Sequence, residues 1–353
     1  MTAAPNGRRK ALRPVPKLAL KVMSLLIRIG LLPRPPVAKS VAASDLSTST
    51  VIKPDPADQI SPGKAALDCY ADVVFSARTS AAGKTRRLCL DIQVPQTSGA
   101  RPLVVYITGG GFIHAPKEAA LDLRTFVAEA GFVVASIQYR TVGDQATYKD
   151  GIADVKAAIR YLRGNAAAYR IDPRKVAVWG ESAGGYLAAM AGVTNGIREF
   201  DAGDHLDQDS AVQAVVVKFG ATDVSKIGAD FDAETRQELH SGDNLRKYFG
   251  AKPGTAELDD AAASTVANPA TYAKASSPPF LLMHGSQDRL VSPSQTLILH
   301  NALRAAGVDS TRYVLDGANH GDLTFMGDEA SGLPWSTNQA MGLVVGFLKR
   351  TLG

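Results

Sequence analysis

From about residue 100 to the C-terminus, short continuous apolar runs alternate with amphipathic stretches. The runs are 102–108, 132–137, 176–179, 214–219, 279–284 and 313–315. A strand covered on one face alternates apolar and polar residues, whereas a strand covered on both faces is apolar throughout. Between the runs, Tyr148, Ile152, Val155, Ile159 and Leu162 recur at steps of four and three, the spacing of one helix face. Further helices are expected over 121–130, ending at Gly131, and after 179. Another is opened by Ser292 and Pro293 and closed by Gly307, and a last one spans 337–349. Strand and helix in strict alternation imply an α/β class: a mostly parallel central sheet with helices on both faces. Upstream, 68–75 and 88–94 read as antiparallel edge strands joined by a turn at 81–84, and 45–64 as an extended linker or lid. The charged segment 225–271 lacks strand patterns and reads as a short insertion over the active end of the sheet.

One of these strand-to-helix junctions carries chemistry. The run Val176-Ala177-Val178-Trp179 is followed by Gly180-Glu181-Ser182-Ala183-Gly184-Gly185 and then by a helical stretch. This is the G-x-S-x-G turn, in which small neighbours let strand and helix approach closely and expose the serine at the apex. Taken alone, these residues also fit an ordinary glycine-rich turn. Two later loops argue otherwise. Gly285-Ser286-Gln287-Asp288 follows one apolar run, and Asp316-Gly317-Ala318-Asn319-His320-Gly321-Asp322 follows the last. A serine needs a general base, and the base needs an orienting acid. Ser182, Asp288 and His320 supply these in the order Ser…Asp…His, each after a strand. Asp223, after the 214–219 run, is the rival acid. Asp316 and Asp322 fit loop-solvating roles.

The remaining histidines have blander readings. His284 ends a buried strand and reads as a structural hydrogen-bonding residue. His205 and His300 read as surface, His240 shows no strand-end pattern, and His114 sits near a glycine loop where it could line a pocket. That loop, Gly109-Gly110-Gly111, directly follows the 102–108 run. Gly110 and Gly111, with Ala183, are the expected oxyanion-hole donors. A phosphate loop fits worse, because neither G-x-G-x-x-G nor a Walker lysine is present.

The chain has a formal net charge of +5. Residues 1–44 hold nine cationic residues (Arg8, Arg9, Lys10, Arg13, Lys17, Lys21, Arg28, Arg34, Lys39) and no acid, so the remainder carries 5 − 9 = −4. The body therefore has no basic excess that would call for nucleic acid. Within this basic appendage, 18–32 is apolar with Lys21 and Arg28 on one helical face, which suits contact with an anionic membrane surface. An export signal, with Arg8-Arg9-Lys10 as a loose twin-arginine motif, and a disordered leader are the competing readings. Localisation stays open, with membrane association or export ahead of a plain cytoplasmic place. Cys69 and Cys89 are too few for a zinc site or disulfide scaffold, but could pair in an oxidising compartment.

Together, Ile107-Thr108-Gly109-Gly110-Gly111-Phe112, Trp179-Gly180-Glu181-Ser182-Ala183-Gly184-Gly185, His284-Gly285-Ser286-Gln287-Asp288 and Gly317-Ala318-Asn319-His320-Gly321 resemble the α/β-hydrolase superfamily. Within it they look like the esterase and lipase groups related to hormone-sensitive lipase and to feruloyl-esterase-like carboxylesterases. Asn268-Pro269-Ala270-Thr271-Tyr272 before Ser277-Pro278-Pro279-Phe280 resembles the latter group. The resemblance covers about residues 67–350. It implies a single catalytic domain over 45–353, an eight-stranded sheet, no cofactor or metal, and small-molecule acyl-ester substrates. One departure is Thr108, where these families usually carry histidine. An amidase, formamidase or peptidase could use the same triad, and a non-catalytic binding module could keep the fold. Oligomeric state is not set by any of these features.

Overall fold

The computed structural model describes residues 8–16, 35–79, 85–250, 265–321 and 330–353, with residues 22, 25, 26, 83 and 258. The proposed surface helix over 18–32, the turn at 81–84 and Asp322 lie mostly or wholly outside them.

One sheet organises the chain. Its centre is parallel: β6 (Val133–Ile137), β5 (Arg101–Ile107), β7 (Ile171–Glu181), β8 (Ala214–Lys218), β9 (Phe280–Gly285) and β10 (Ser310–Leu315), in that spatial order. β3 (Leu67–Thr79) and β4 (Thr85–Pro95) extend it antiparallel beyond β6. These eight strands match the expected sheet. Two short strands lengthen it to ten: β1 (Arg8–Arg9) beside β3, and β2 (Thr50–Ile52) beside β10.

The continuous apolar runs are explained by two cores. In β5, Leu103, Val105 and Ile107 face one cluster while Val104 and Tyr106 face the other. β7 divides in the same way, with Val176 and Val178 on one side and Ala177 and Trp179 on the other. Burying one such aliphatic or aromatic side chain is worth about 1.5–3 kcal/mol, so both faces must be covered. α1 (Leu121–Glu129) and the C-terminal helix cover one face; α2 (Tyr148–Gly164), α3 (Ala183–Val193) and a later helix cover the other.

Several expectations need correction. The segment 45–64 is not a lid. Its residues add β2 to the sheet edge, and the N–H groups of Gly63, Lys64 and Ala65 converge on Glu129 at the end of α1. Residues 1–44 are not a free appendage throughout, because Arg8 and Arg9 pair with β3 and Ala38 is fully buried against the insertion. The open pairing of Cys69 and Cys89 resolves without a disulfide, since both are free. Register explains why: Cys69 lies opposite Gln93 and Cys89 opposite Val74, which offsets the thiols by four residues along β4. Ser292 does not cap its helix, since its hydroxyl accepts from Asp230 N–H instead, and the helix runs over Ser294–Ala305. Asp230 also accepts from Ser294 N–H, so the insertion supplies the cap. Among the described residues no helix is long and apolar enough to cross a membrane.

Within the insertion, α4 (Ala233–Ser241) and α5 (Asp243–Tyr248) are helical and no strand appears among the described residues. Its aromatic end packs at the active side of the sheet. Phe112, directly after the glycine loop, stacks on Tyr248 at 4.3 Å between ring centres and meets Phe249 edge-on at 5.4 Å.

Candidate active site

The site is assembled at the carboxyl ends of the parallel strands, where every loop after a strand emerges on the same side. β7 ends at Glu181, and Ser182 turns the chain into α3 with φ 53 and ψ −121. That backbone is strained for a residue with a Cβ. The neighbouring glycines make it possible. A Cβ on Gly180 would strike the Gly184 carbonyl, and one on Gly184 would strike that of Ile107. Strand, turn and helix therefore touch backbone to backbone, and the serine is held proud of the sheet.

Asp288 follows β9 and is fully buried. His320 follows β10 and is nearly so. His320 Nδ1 lies 2.7 Å from Asp288 Oδ2, and its Nε2 lies 2.8 Å from Ser182 Oγ. A carboxylate only accepts, so the ring proton sits on Nδ1 and the Nε2 lone pair faces the serine hydroxyl. The three sequence-derived residues are thus one continuous hydrogen-bonded chain.

Asp288 is held firmly. Its Oδ1 accepts the N–H groups of Leu290 and Val291, each at 2.9 Å. Its Oδ2 also receives His284 Nε2 at 3.1 Å. Burial by itself would push this carboxyl up. The charge of His320 and the hydrogen bonds from His284 and His320 outweigh burial and hold it well below the usual carboxylate range. His284 is buried and hydrogen-bonded, and it holds the Asp288 carboxylate. Its Nδ1 accepts from Thr296 Oγ at 3.0 Å, and that hydroxyl oxygen accepts from Arg312. Asp223 is elsewhere: it accepts from Ser225 and Asn268 and pairs with Lys226. His300 corrects the surface reading. It is buried, with Nδ1 on Ser310 Oγ at 2.8 Å and Nε2 on Thr48 O at 2.9 Å. His205 and His114 are exposed, and His240 is half-buried on α4.

The glycine loop lies against Ser182. A Cβ on Gly109 would come within 3.1 Å of Ser182 Cβ. Gly110 and Gly111 have φ of 136 and 59, values that favour glycine. Among the described residues, the N–H groups of Gly110, Gly111 and Ala183 have no acceptor. Thr108, in place of histidine, is buried, and its carbonyl accepts from the Tyr139 hydroxyl at 3.1 Å. Tyr139 was not legible as a loop anchor, because it comes from the segment after β6. Among the described residues, no group of three or more His, Cys, Asp or Glu side chains is arranged to hold a metal ion.

A family model, BD-FAE, matches residues 90–303. The chain belongs to the BD-FAE family. This is an α/β-hydrolase esterase family, in agreement with the fold. The BD-FAE chain is 29% identical to Esterase LipQ of Mycobacterium tuberculosis over 62% of its own length and 50% of that protein. It is 27% identical to the isoprenylcysteine alpha-carbonyl methylesterase ICME of Arabidopsis thaliana, over 76% of its length and 65% of that protein. It thus spans half to about two thirds of these relatives. Among solved structures, a truncated carbohydrate esterase from gut microbiota superposes with a TM-score of 0.64 at 25% identity, covering 83% of this chain and 99% of that one. Esterase Est2 of Thermogutta terrifontis, at 23% identity and a TM-score of 0.60, covers 82% of this chain and 94% of that one and shares the fold.

Proposed function

We propose that the chain hydrolyses carboxylic esters of small molecules through an acyl-enzyme. The observation that carries this is the unbroken run from Asp288 Oδ2 through His320 to Ser182 Oγ, with both contacts under 3 Å. Ser182 Oγ attacks the acyl carbon while His320 Nε2 takes its proton. His320 then gives that proton to the leaving alcohol, and water, activated by the same nitrogen, releases the acid. Asp288 keeps the imidazole tautomer and stabilises the imidazolium. Gly110, Gly111 and Ala183 donate to the tetrahedral oxyanion. One such donor is worth about 2.7–4 kcal/mol of transition-state stabilisation.

The esterase relatives and the family support an ester over an amide as substrate. The test is hydrolysis of p-nitrophenyl esters from acetate to palmitate, beside amide analogues of the same acyl groups. The expected result is serine-dependent turnover of the esters that falls beyond short acyl chains. A rate that rises with chain length would make lipid-borne esters the substrate and give the basic apolar pattern of 18–32 a use at an anionic membrane surface. Turnover of amides alone would overturn the ester reading.

A further inference from the structure

A lysine closed off from solvent lies directly beneath the nucleophile. Lys218 ends β8 opposite Glu181 in the β7–β8 ladder, and its side chain is fully buried. The ammonium stands 3.3 Å from Glu181 Oε1, as an ion pair rather than an aligned hydrogen bond. It is also 3.3 Å from Met341 Sδ, and 5.1 and 5.8 Å from the ring centres of Trp179 and Trp335. These are the only two tryptophans in the sequence. The second carboxylate oxygen of Glu181 accepts from the Tyr106 hydroxyl at 3.0 Å. Burial lowers the lysine's pKa from its usual range, so the site opposes the charge it holds. Apolar side chains in place of both Lys218 and Glu181 would fill such a box at less cost. Packing alone therefore does not account for a lysine here.

Two contacts show what the lysine holds. Its carbonyl accepts the N–H of Ser182 at 3.0 Å. The next residue, Phe219, is turned to φ 40, and its ring centre lies 4.6 Å from that of His320. The same ring lies 4.6 Å from Trp335. Residues 218 and 219 thus touch the nucleophile with one group and the general base with the next. Glu181 directly precedes the strained serine.

We propose that Lys218 is a positioning residue: its ammonium, held between Glu181 and two indole faces, locks the ends of β7 and β8. In that lock the Lys218 carbonyl and the Phe219 ring keep Ser182 and His320 in mutual register. This rests on the ester-hydrolase reading. Tyr106 extends the lock to β5, whose next residues are Thr108 and the glycine loop.

The experiment compares Lys218→Met, Glu181→Gln and the double variant with the wild type and Ser182→Ala, reading kcat, KM and melting temperature on p-nitrophenyl butyrate. Lys218→Met is expected to lower kcat about 10–100-fold with KM changed less than about threefold, the signature of misplaced catalytic groups. Glu181→Gln is nearly isosteric and leaves no buried unpaired carboxylate. It should lower kcat at least about fivefold with the same small change in KM. The double variant has no unpaired charge, so its melting temperature recovers while kcat stays low. A folded Lys218→Met with kcat within about twofold of wild type overturns the proposal. So does a double variant that recovers kcat together with stability, since that is charge compensation and nothing more. If Lys218→Met does not fold, Glu181→Gln decides, and an unchanged kcat rejects the role. A wild type without serine-dependent turnover removes the hydrolase reading and this inference with it; wild-type turnover with unaffected variants removes this inference alone.

Discussion

Ser182→Ala lowers kcat/KM for a short p-nitrophenyl ester by about 10⁵–10⁶-fold while the protein stays folded. The large effect follows from the attacking atom being lost outright, so no acyl-enzyme can form. A residue of catalysis about 10³–10⁴-fold above water survives, because the oxyanion donors are backbone groups that the substitution leaves in place. The small structural effect follows from what the hydroxyl touches. Its one side-chain hydrogen bond among the described residues is to His320 Nε2 at 2.8 Å, and Ser182 is only half-buried, so water can take over that lone pair. Alanine carries the same Cβ through the same strained turn. Steady-state kinetics with a melting curve on the same sample checks both halves; a tenfold or smaller loss would assign the nucleophile elsewhere.

Asp288→Asn is expected to lower kcat about 10⁴-fold. The neighbours decide how the amide sits. Oδ1 accepts two backbone N–H groups, from Leu290 and Val291, so the amide oxygen stays there. The NH2 then takes the place of Oδ2 and faces both His320 Nδ1 and His284 Nε2. To accept from it, His320 must move its proton to Nε2, where it points at Ser182 and can no longer receive the hydroxyl proton. His284 Nε2 loses one of its two acceptors, keeps the Val291 carbonyl at 3.1 Å and now faces an NH2, so this variant also melts at a lower temperature, unlike Ser182→Ala. A pH effect accompanies it. Folding depresses the Asp288 pKa, so the stability it contributes is present above the unfolded value of about 3.9 and is lost as pH falls toward the lower folded one. The wild type should therefore lose stability below about pH 4 along a steeper course than Asp288→Asn. Parallel acid-denaturation curves for the two proteins would contradict this.

The parts of the site that were readable in the sequence share one property: each is announced by its own neighbours. Ser182 has its glycines. Asp288 and His320 each follow an apolar run within a few residues, and a run buried on both faces is recognisable alone. The parts that were not readable depend on which strands are adjacent. Lys218 lies inside the 214–219 run with nothing in the sequence to mark a partner; only the pairing of β7 with β8 sets it against Glu181. Trp335 and Tyr139 approach the site from segments with no motif. His300 reads as a surface residue of a helix until Ser310 and Thr48 are found above it. Whether the two cysteines pair was not readable either, because the adjacency of their strands was legible but the register was not. The two outermost strands, β1 at one edge of the sheet and β2 at the other, are two and three residues long, too short to show a side-chain period.

The central claim is that Ser182 is an activated nucleophile. Its most direct test is the intact mass of the wild-type protein after brief treatment with a fluorophosphonate, followed by peptide mapping. The account predicts a single adduct on the peptide that carries Ser182, formed rapidly in the wild type, slowly in Asp288→Asn and not at all in Ser182→Ala. An unlabelled wild type, or an adduct that persists in Ser182→Ala, would contradict it.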